Sequence, residues 1–251
     1  MSQANPCVIA STRRWASSSI WLPQQDPGGV EAAALRLYQD KTLKRLDQYL
    51  VARDSGEELD ETLVNDVVVP PVSEILPAAV DLVIAALEPA GFHGDFHEGN
   101  IIENAGRFTA IDWRSDFGGL LTAGDPAYDL AKFVHTLECP ESVMSAGRFR
   151  VEPKDGGWCI GNEDTRARED ARVAFWRRCD AEGFDWRAVA ILDALVFVGM
   201  SPLYDARLGD SLYWLGRWLL GVSIECHTWL EREERFQAAC LPFRSRRTSA
   251  G

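Results

Sequence analysis

Three short runs hold the residues whose types and spacing suit them for chemistry. They are His93-Gly94-Asp95-Phe96-His97-Glu98-Gly99-Asn100, Ile111-Asp112-Trp113, and Gly124-Asp125-Pro126-Ala127-Tyr128-Asp129-Leu130-Ala131. Asp95 stands beside a glycine, in a loop just ahead of a predicted β-hairpin. Asn100 opens that hairpin and Asp112 closes it. Paired strands bring their ends together, so an amide oxygen and a carboxylate can converge on one spot. Hard oxygen donors of this kind suit Mg²⁺ held jointly with substrate phosphates. Asp95, close by, can accept a proton from an attacking hydroxyl. Phosphoryl transfer needs these parts: ligands for a charge-neutralising metal and a carboxylate that orients the nucleophile.

The rest of the chain supplies the elements that position these residues. Ile101-Ile102-Glu103-Asn104 and Phe108-Thr109-Ala110-Ile111 are β-prone runs, with Asn104-Ala105-Gly106-Arg107 turning the chain between them. From Glu31 to about Arg53 the spacing of Leu35, Leu43, Leu46 and Leu50 predicts a helix. Residues 54–72 are acidic, end in Pro70-Pro71, and read as a connection. Ser73 caps a predicted helix that Pro89 and Gly91 end. Another helix begins near Ala127 and carries Leu130, Phe133, Val134 and Leu137. Residues 139–163 read as a loop or insertion, and 164–183, 186–200 and 211–234 as three further helices. The organisation expected is an irregular segment over 1–30, one domain over 31–240 and a basic tail over 241–251. The fold class is α+β and mostly helical, with a small β-hairpin at the catalytic centre.

Composition narrows the function. The chain has 251 residues and a net charge of −12, with 46% hydrophobic residues. These values belong to an ordinary globular protein. The negative charge argues against nucleic acid as a partner, because phosphate backbones are held by clustered cations. It leaves room for a phosphate-bearing ligand, since bound Mg²⁺ reverses the local sign. The six cysteines form no CxxC pair. They read as mostly free thiols of a reducing, cytoplasmic setting. Val189–Met200 and 212–224 are the most apolar runs, interrupted by Asp193 and Arg217, and read as core helices rather than membrane spans.

In order and spacing, His-Gly-Asp-x4-Asn, Ile-Asp-Trp and Gly-Asp-Pro-x-x-Asp-Leu-Ala resemble the aminoglycoside phosphotransferase and choline kinase family, whose fold is protein-kinase-like. The resemblance is tight over 92–137 and weaker over 31–91 and 164–234. It implies a kinase C-lobe that transfers phosphate from ATP, with Mg²⁺, to a hydroxyl of an aminoglycoside-, choline- or sugar-like acceptor. It implies Asp95 as catalytic base, and Asn100 and Asp112 as the Mg²⁺ ligands that also hold the nucleotide. His93 would brace the catalytic loop, Asp125 would support that loop by hydrogen bonds, and Asp129 would be a further structural acid. Asp112, at the hairpin's end, takes the metal role. Asp116-Phe117-Gly118 spells the DFG of protein kinases, but Asp116 is expected to brace a loop.

The family's fold carries a glycine-rich loop and a lysine in an N-terminal β-lobe that clamps ATP. Ahead of His93 the sequence holds no GxGxxG, and its first lysine, Lys41, lies in a helical pattern. The clamp therefore reads as lacking. A longer gene, a homo-oligomer or partner supplying the lobe, and a non-catalytic kinase-like binding protein are the three expectations that follow. A metal hydrolase using His93, Asp95 and His97 is a further reading, which leaves Asn100, Asp112 and Asp125 without a role. Asp205, Asp210 and Glu225 could hold a cationic acceptor or could form a solvated helix face.

Overall fold

The most apolar run of the sequence becomes the axis of the fold. In the computed structural model, which describes residues 27–65, 67–121 and 123–240, the helix Trp186–Met200 is buried from Ala188 to Val198. Over Trp186–Leu203 this stretch is long and apolar enough to cross a membrane, yet 67% of it is buried inside the fold. A helix so enclosed by its own protein is a core helix.

In chain order the elements are α1 (Pro27–Leu35), a π-helical turn (Arg36–Asp40), α2 (Lys41–Ala52), β1 (Thr62–Val64), β2 (Val67–Val69) and α3 (Val72–Ala85). A 3-10 turn (Glu98–Asn100), β3 (Ile101–Asn104) and β4 (Arg107–Ala110) follow, then α4 (Pro126–Glu138), α5 (Glu141–Ser145), β5 (Phe149–Lys154) and β6 (Gly157–Asn162). The chain closes with α6 (Arg166–Ala181), α7 (Trp186–Met200), a 3-10 turn (Ser201–Leu203), α8 (Ala206–Glu225) and α9 (Trp229–Cys240). Helix α7 packs against α8, α4, α2 and α3. The architecture is mostly helical α+β, with β3 and β4 as a separate two-stranded sheet.

Several boundaries differ from the sequence reading. Helix α1 begins at Pro27, inside the segment expected to be irregular, while 1–26 and the basic tail 241–251 lie outside the described residues. The connection over 54–72 contains β1 and β2, and the insertion over 139–163 contains α5 and the β5–β6 hairpin. These strands form one mixed sheet in the order β2-β1-β6-β5, joined where Val64 pairs with Trp158 in parallel. The Asn65 side chain closes that seam by accepting the Ile160 N–H at 2.9 Å. The helix expected over 211–234 is two helices. Helix α8 is capped by Asp205, starts earlier, and ends at Glu225, with Thr228 accepting the Glu231 N–H at the start of α9. Helix α3 starts at Val72 rather than behind a Ser73 cap. The Glu58 carboxylate accepts the N–H groups of Val72 and Ser73 at 3.0 and 2.7 Å.

Buried ion pairs lock the helices together. Arg232 on α9, with no exposure, reaches Glu138 on α4 at 2.7 Å and Asp193 on α7 at 2.6 Å. Arg172 on α6 spans Asp164 at 2.7 Å and Glu233 on α9 at 3.1 Å. Asp193, which interrupts the apolar run, is thus paired with Arg232. Removing one partner of such a pair strands the other in a low-dielectric interior.

Candidate active site

The hairpin brings the proposed metal ligands to one end. Strands β3 and β4 pair in register from Ile101 with Ala110 to Asn104 with Arg107. Ala105 and Gly106 both have positive φ, 50° and 78°, as a tight two-residue hairpin turn requires. One step beyond the strands, the Ile111 N–H donates to the Asn100 carbonyl at 2.9 Å. Asn100 and Asp112 therefore flank the same open end of the hairpin. Asp112 leaves the strand at φ 60°, a left-handed conformation that Asp tolerates better than most side chains. Its carboxylate is exposed and makes no hydrogen bond or ion pair among the described residues. The Asn100 Nδ2 donates to the Asp95 carbonyl at 3.0 Å, which fixes the amide and leaves its oxygen without a protein partner. Two unpartnered hard oxygen donors at an open end fit a Mg²⁺ site shared with phosphates.

Asp95, whose carbonyl accepts the Asn100 amide, sits on a loop clamped from two sides. Asp129, in the first turn of α4, accepts the backbone N–H groups of His93 and Gly94 at 2.6 and 2.7 Å. Asp125 has a different job from the loop support expected of it. It caps α4 by accepting the Ala127 N–H at 2.9 Å and accepts the Tyr38 hydroxyl at 2.8 Å. Burial pushes the Asp125 carboxyl up to about 6, against the two donated bonds. Burial likewise pushes Asp129 up to about 7.

His93 is buried behind the loop. Its Nε2 donates to the Ile111 carbonyl at 2.8 Å and its Nδ1 accepts the Asp95 N–H at 3.2 Å. These bonds select the neutral tautomer, and burial lowers the ring's pKa in the same direction. The Arg114 N–H, donating to the His93 carbonyl at 2.8 Å, ties the loop to the segment after Asp112. His97 holds the 3-10 turn, its Nδ1 accepting the Gly99 N–H at 3.2 Å. Both His93 nitrogens are spent, so the hydrolase reading loses a ligand. Among the described residues no group of three or more His, Cys, Asp or Glu gathers as a metal cluster.

Two residues at the centre were not singled out from sequence. Lys132 Nζ lies 3.0 Å from one Asp95 oxygen, and Arg114 Nη2 lies 2.9 Å from the other. Burial would raise the Asp95 carboxyl, but these cations outweigh it and hold the pKa at about 2. Lys132 did have a signal. It stands three residues after Asp129 on α4, so both face the catalytic loop. Asp116 braces nothing among the described residues. It is exposed and lines a cavity of about 530 Å³ beside Asp95.

Residues 21–192 match the model of a phosphotransferase enzyme family, a span covering well over half the chain and every residue of this site. The chain belongs to that family. Its kinase-like fold agrees with the mostly helical α+β architecture. Neither a curated protein nor a solved structure matches the chain.

Proposed function

We propose that this phosphotransferase-family protein transfers the γ-phosphoryl group of ATP, with Mg²⁺, to a hydroxyl of a small molecule. The observation that carries the reading is the placement of an ionised Asp95 at the rim of a cavity, with Asn100 and Asp112 bare at the adjoining hairpin end. In the reaction the acceptor oxygen forms a bond to the γ-phosphorus as the bond to the β-phosphate oxygen breaks, and ADP leaves. The hydroxyl proton passes to Asp95. A carboxylate held at a pKa of about 2 is a weak base. Its main work is to orient the hydroxyl, with the proton moving late, as suits a loose phosphoryl-transfer transition state. Bound Mg²⁺ would neutralise phosphate charge, and Asn100 and Asp112 are the residues that would hold it. Lys132 and Arg114 keep Asp95 ionised and fixed, and His93 and Asp129 hold its backbone.

Among the described residues ahead of His93, the strands are β1 and β2 of the mixed sheet, and Lys41 lies on α2. We therefore assign the nucleotide clamp to a second copy or to a partner chain. Calorimetric titration with Mg·ATP tests the metal site. The wild type and Asp95→Asn should bind, and Asp112→Ala should lose its metal-dependent binding. Equal binding by Asp112→Ala would contradict the assignment.

A further inference from the structure

The cavity beside Asp95 has a charge opposite to that of the chain. Five cations line it, Arg36, Lys41, Arg45, Arg114 and Lys132, against the carboxylates of Asp95 and Asp116. Arg114 and Lys132 are committed to Asp95. The other three have no carboxylate within ion-pairing distance among the described residues. Arg36 gives its Nε–H to the Gly118 carbonyl at 2.7 Å, and among the described residues Arg45 reaches only the Gln48 amide oxygen, at 3.0 Å.

The backbone gathers these cations deliberately. In an unbroken α-helix, residues five apart point well away from one another. The π-turn over Arg36–Asp40 widens one turn, with the Lys41 N–H donating to the Arg36 carbonyl, an i→i+5 bond. Arg36 and Lys41 then share a face, and Arg45 follows four residues on. Single π-turns inside helices recur at functional sites. The Lys41 ammonium is pushed down by partial burial and then by Arg114, Lys132 and Arg45. Like charges held around a hollow cost folding energy, and a bound anion relieves it. Facing the cations, Leu192, Leu195, Val196 and Met200 give α7 an apolar wall suited to a carbon skeleton.

The cavity touches Asp95 but neither Asn100 nor Asp112, so it lies on the acceptor side of the base. The acids that would have suited a cationic acceptor are engaged elsewhere. Asp205 caps α8, Asp210 pairs with Arg53, and Glu225 pairs with Arg235. We propose that the acceptor is an anion: a hydroxylated small molecule bearing a phosphate monoester or carboxylate, its charged end on Arg36, Lys41 and Arg45 and its hydroxyl at Asp95. This rests on the phosphotransfer reading and deepens it. The volume suits one small molecule.

The test is calorimetry on the full chain with glucose 6-phosphate, glucuronate, glucose and choline, paired with γ-phosphate transfer from labelled Mg·ATP to each. The two anions should bind about tenfold or more tightly than glucose or choline. Tighter binding of the sugar phosphate than of glucuronate assigns the site to phosphate monoesters, and the reverse to carboxylates. Lys41→Met combined with Arg45→Met should weaken anion binding about tenfold or more and leave Mg·ATP affinity unchanged, while Lys41→Arg should keep most of it. Three results overturn the proposal: no binding of either anion, choline or glucose binding as tightly, or a double variant that loses Mg·ATP instead of the anion. Anion binding that depends on Lys41 without transfer would leave the anion site standing and count against phosphotransfer. Transfer to choline alone would do the reverse.

Discussion

Lys132 Nζ lies 3.0 Å from Asp95 Oδ1, across a side-chain pair that is mostly shielded from water. This contact, with Arg114 on the other oxygen, keeps the carboxylate charged at every pH an enzyme normally meets. Asp95 titration should therefore add no acid limb to the transfer rate between pH 5 and 8. In Lys132→Met, burial remains and the largest opposing charge is gone, so the Asp95 carboxyl rises and an acid limb appears. The pH dependence of kcat/KM for the two proteins checks this. An unchanged profile in the variant would show that Lys132 does not set the charge of the base.

Asp129→Ala should damage both fold and rate. It leaves the His93 and Gly94 N–H groups buried without acceptors, at a cost of about 1–3 kcal/mol each. Urea unfolding should show a lower midpoint with an unchanged slope, and transfer should fall about 100-fold or more as the loop loosens. A variant as stable as the wild type would mean water replaces the carboxylate.

Asp125 gives a pH signature in stability. Its carboxyl, at about 6 in the fold, sits near 4 in an unfolded chain. The fold binds a proton more tightly than the unfolded chain does. That contribution is therefore complete below about pH 4 and is lost as pH rises through about 6. Asn caps a helix as well as Asp does, so Asp125→Asn should fold. Its melting temperature should fall less than the wild type's between pH 5 and 7. Parallel curves would contradict the burial argument.

Much of this was legible because it was local. Ile101 to Asn104 and Phe108 to Ile111 are β-prone runs on either side of a two-residue turn, so the hairpin and its two end residues followed from local sequence. Gly124-Asp125-Pro126 turns the chain just ahead of the helix near Ala127. What stayed hidden depends on distance in the chain. Arg114 and Lys132 meet Asp95 only after the loop has folded onto the hairpin end and α4, and Tyr38 reaches Asp125 from a separate helix. Residues 149–162 carried a usable hairpin signal, Asp155-Gly156, both at positive φ. Pro153 and the charges of Arg150, Glu152 and Lys154 masked the strand beside it. The π-turn left no periodic trace, since one widened turn merely shifts the phase of the leucines.

Gly94 should accept no side chain. At φ +82° a Cβ would lie 2.6 Å from the Arg114 Cβ and 2.8 Å from the Phe92 ring. Gly94→Ala must move the segment that carries both Asp95 and Arg114, at a cost of about 1–3 kcal/mol. Loss of transfer with a lowered melting temperature is the expected outcome. Full activity would mean the loop tolerates a displaced Arg114.

The central claim is that Asp95 orients a hydroxyl for attack on a metal-held phosphate. Its most direct test is single-turnover transfer of γ-phosphate from Mg·ATP to a hydroxylated acceptor, with Mg·ATP binding followed in the same samples. Asp95→Asn should keep its fold and nucleotide affinity and lose about 1000-fold or more in transfer rate. An Asp95→Asn protein that transfers phosphate at the wild-type rate would contradict the account.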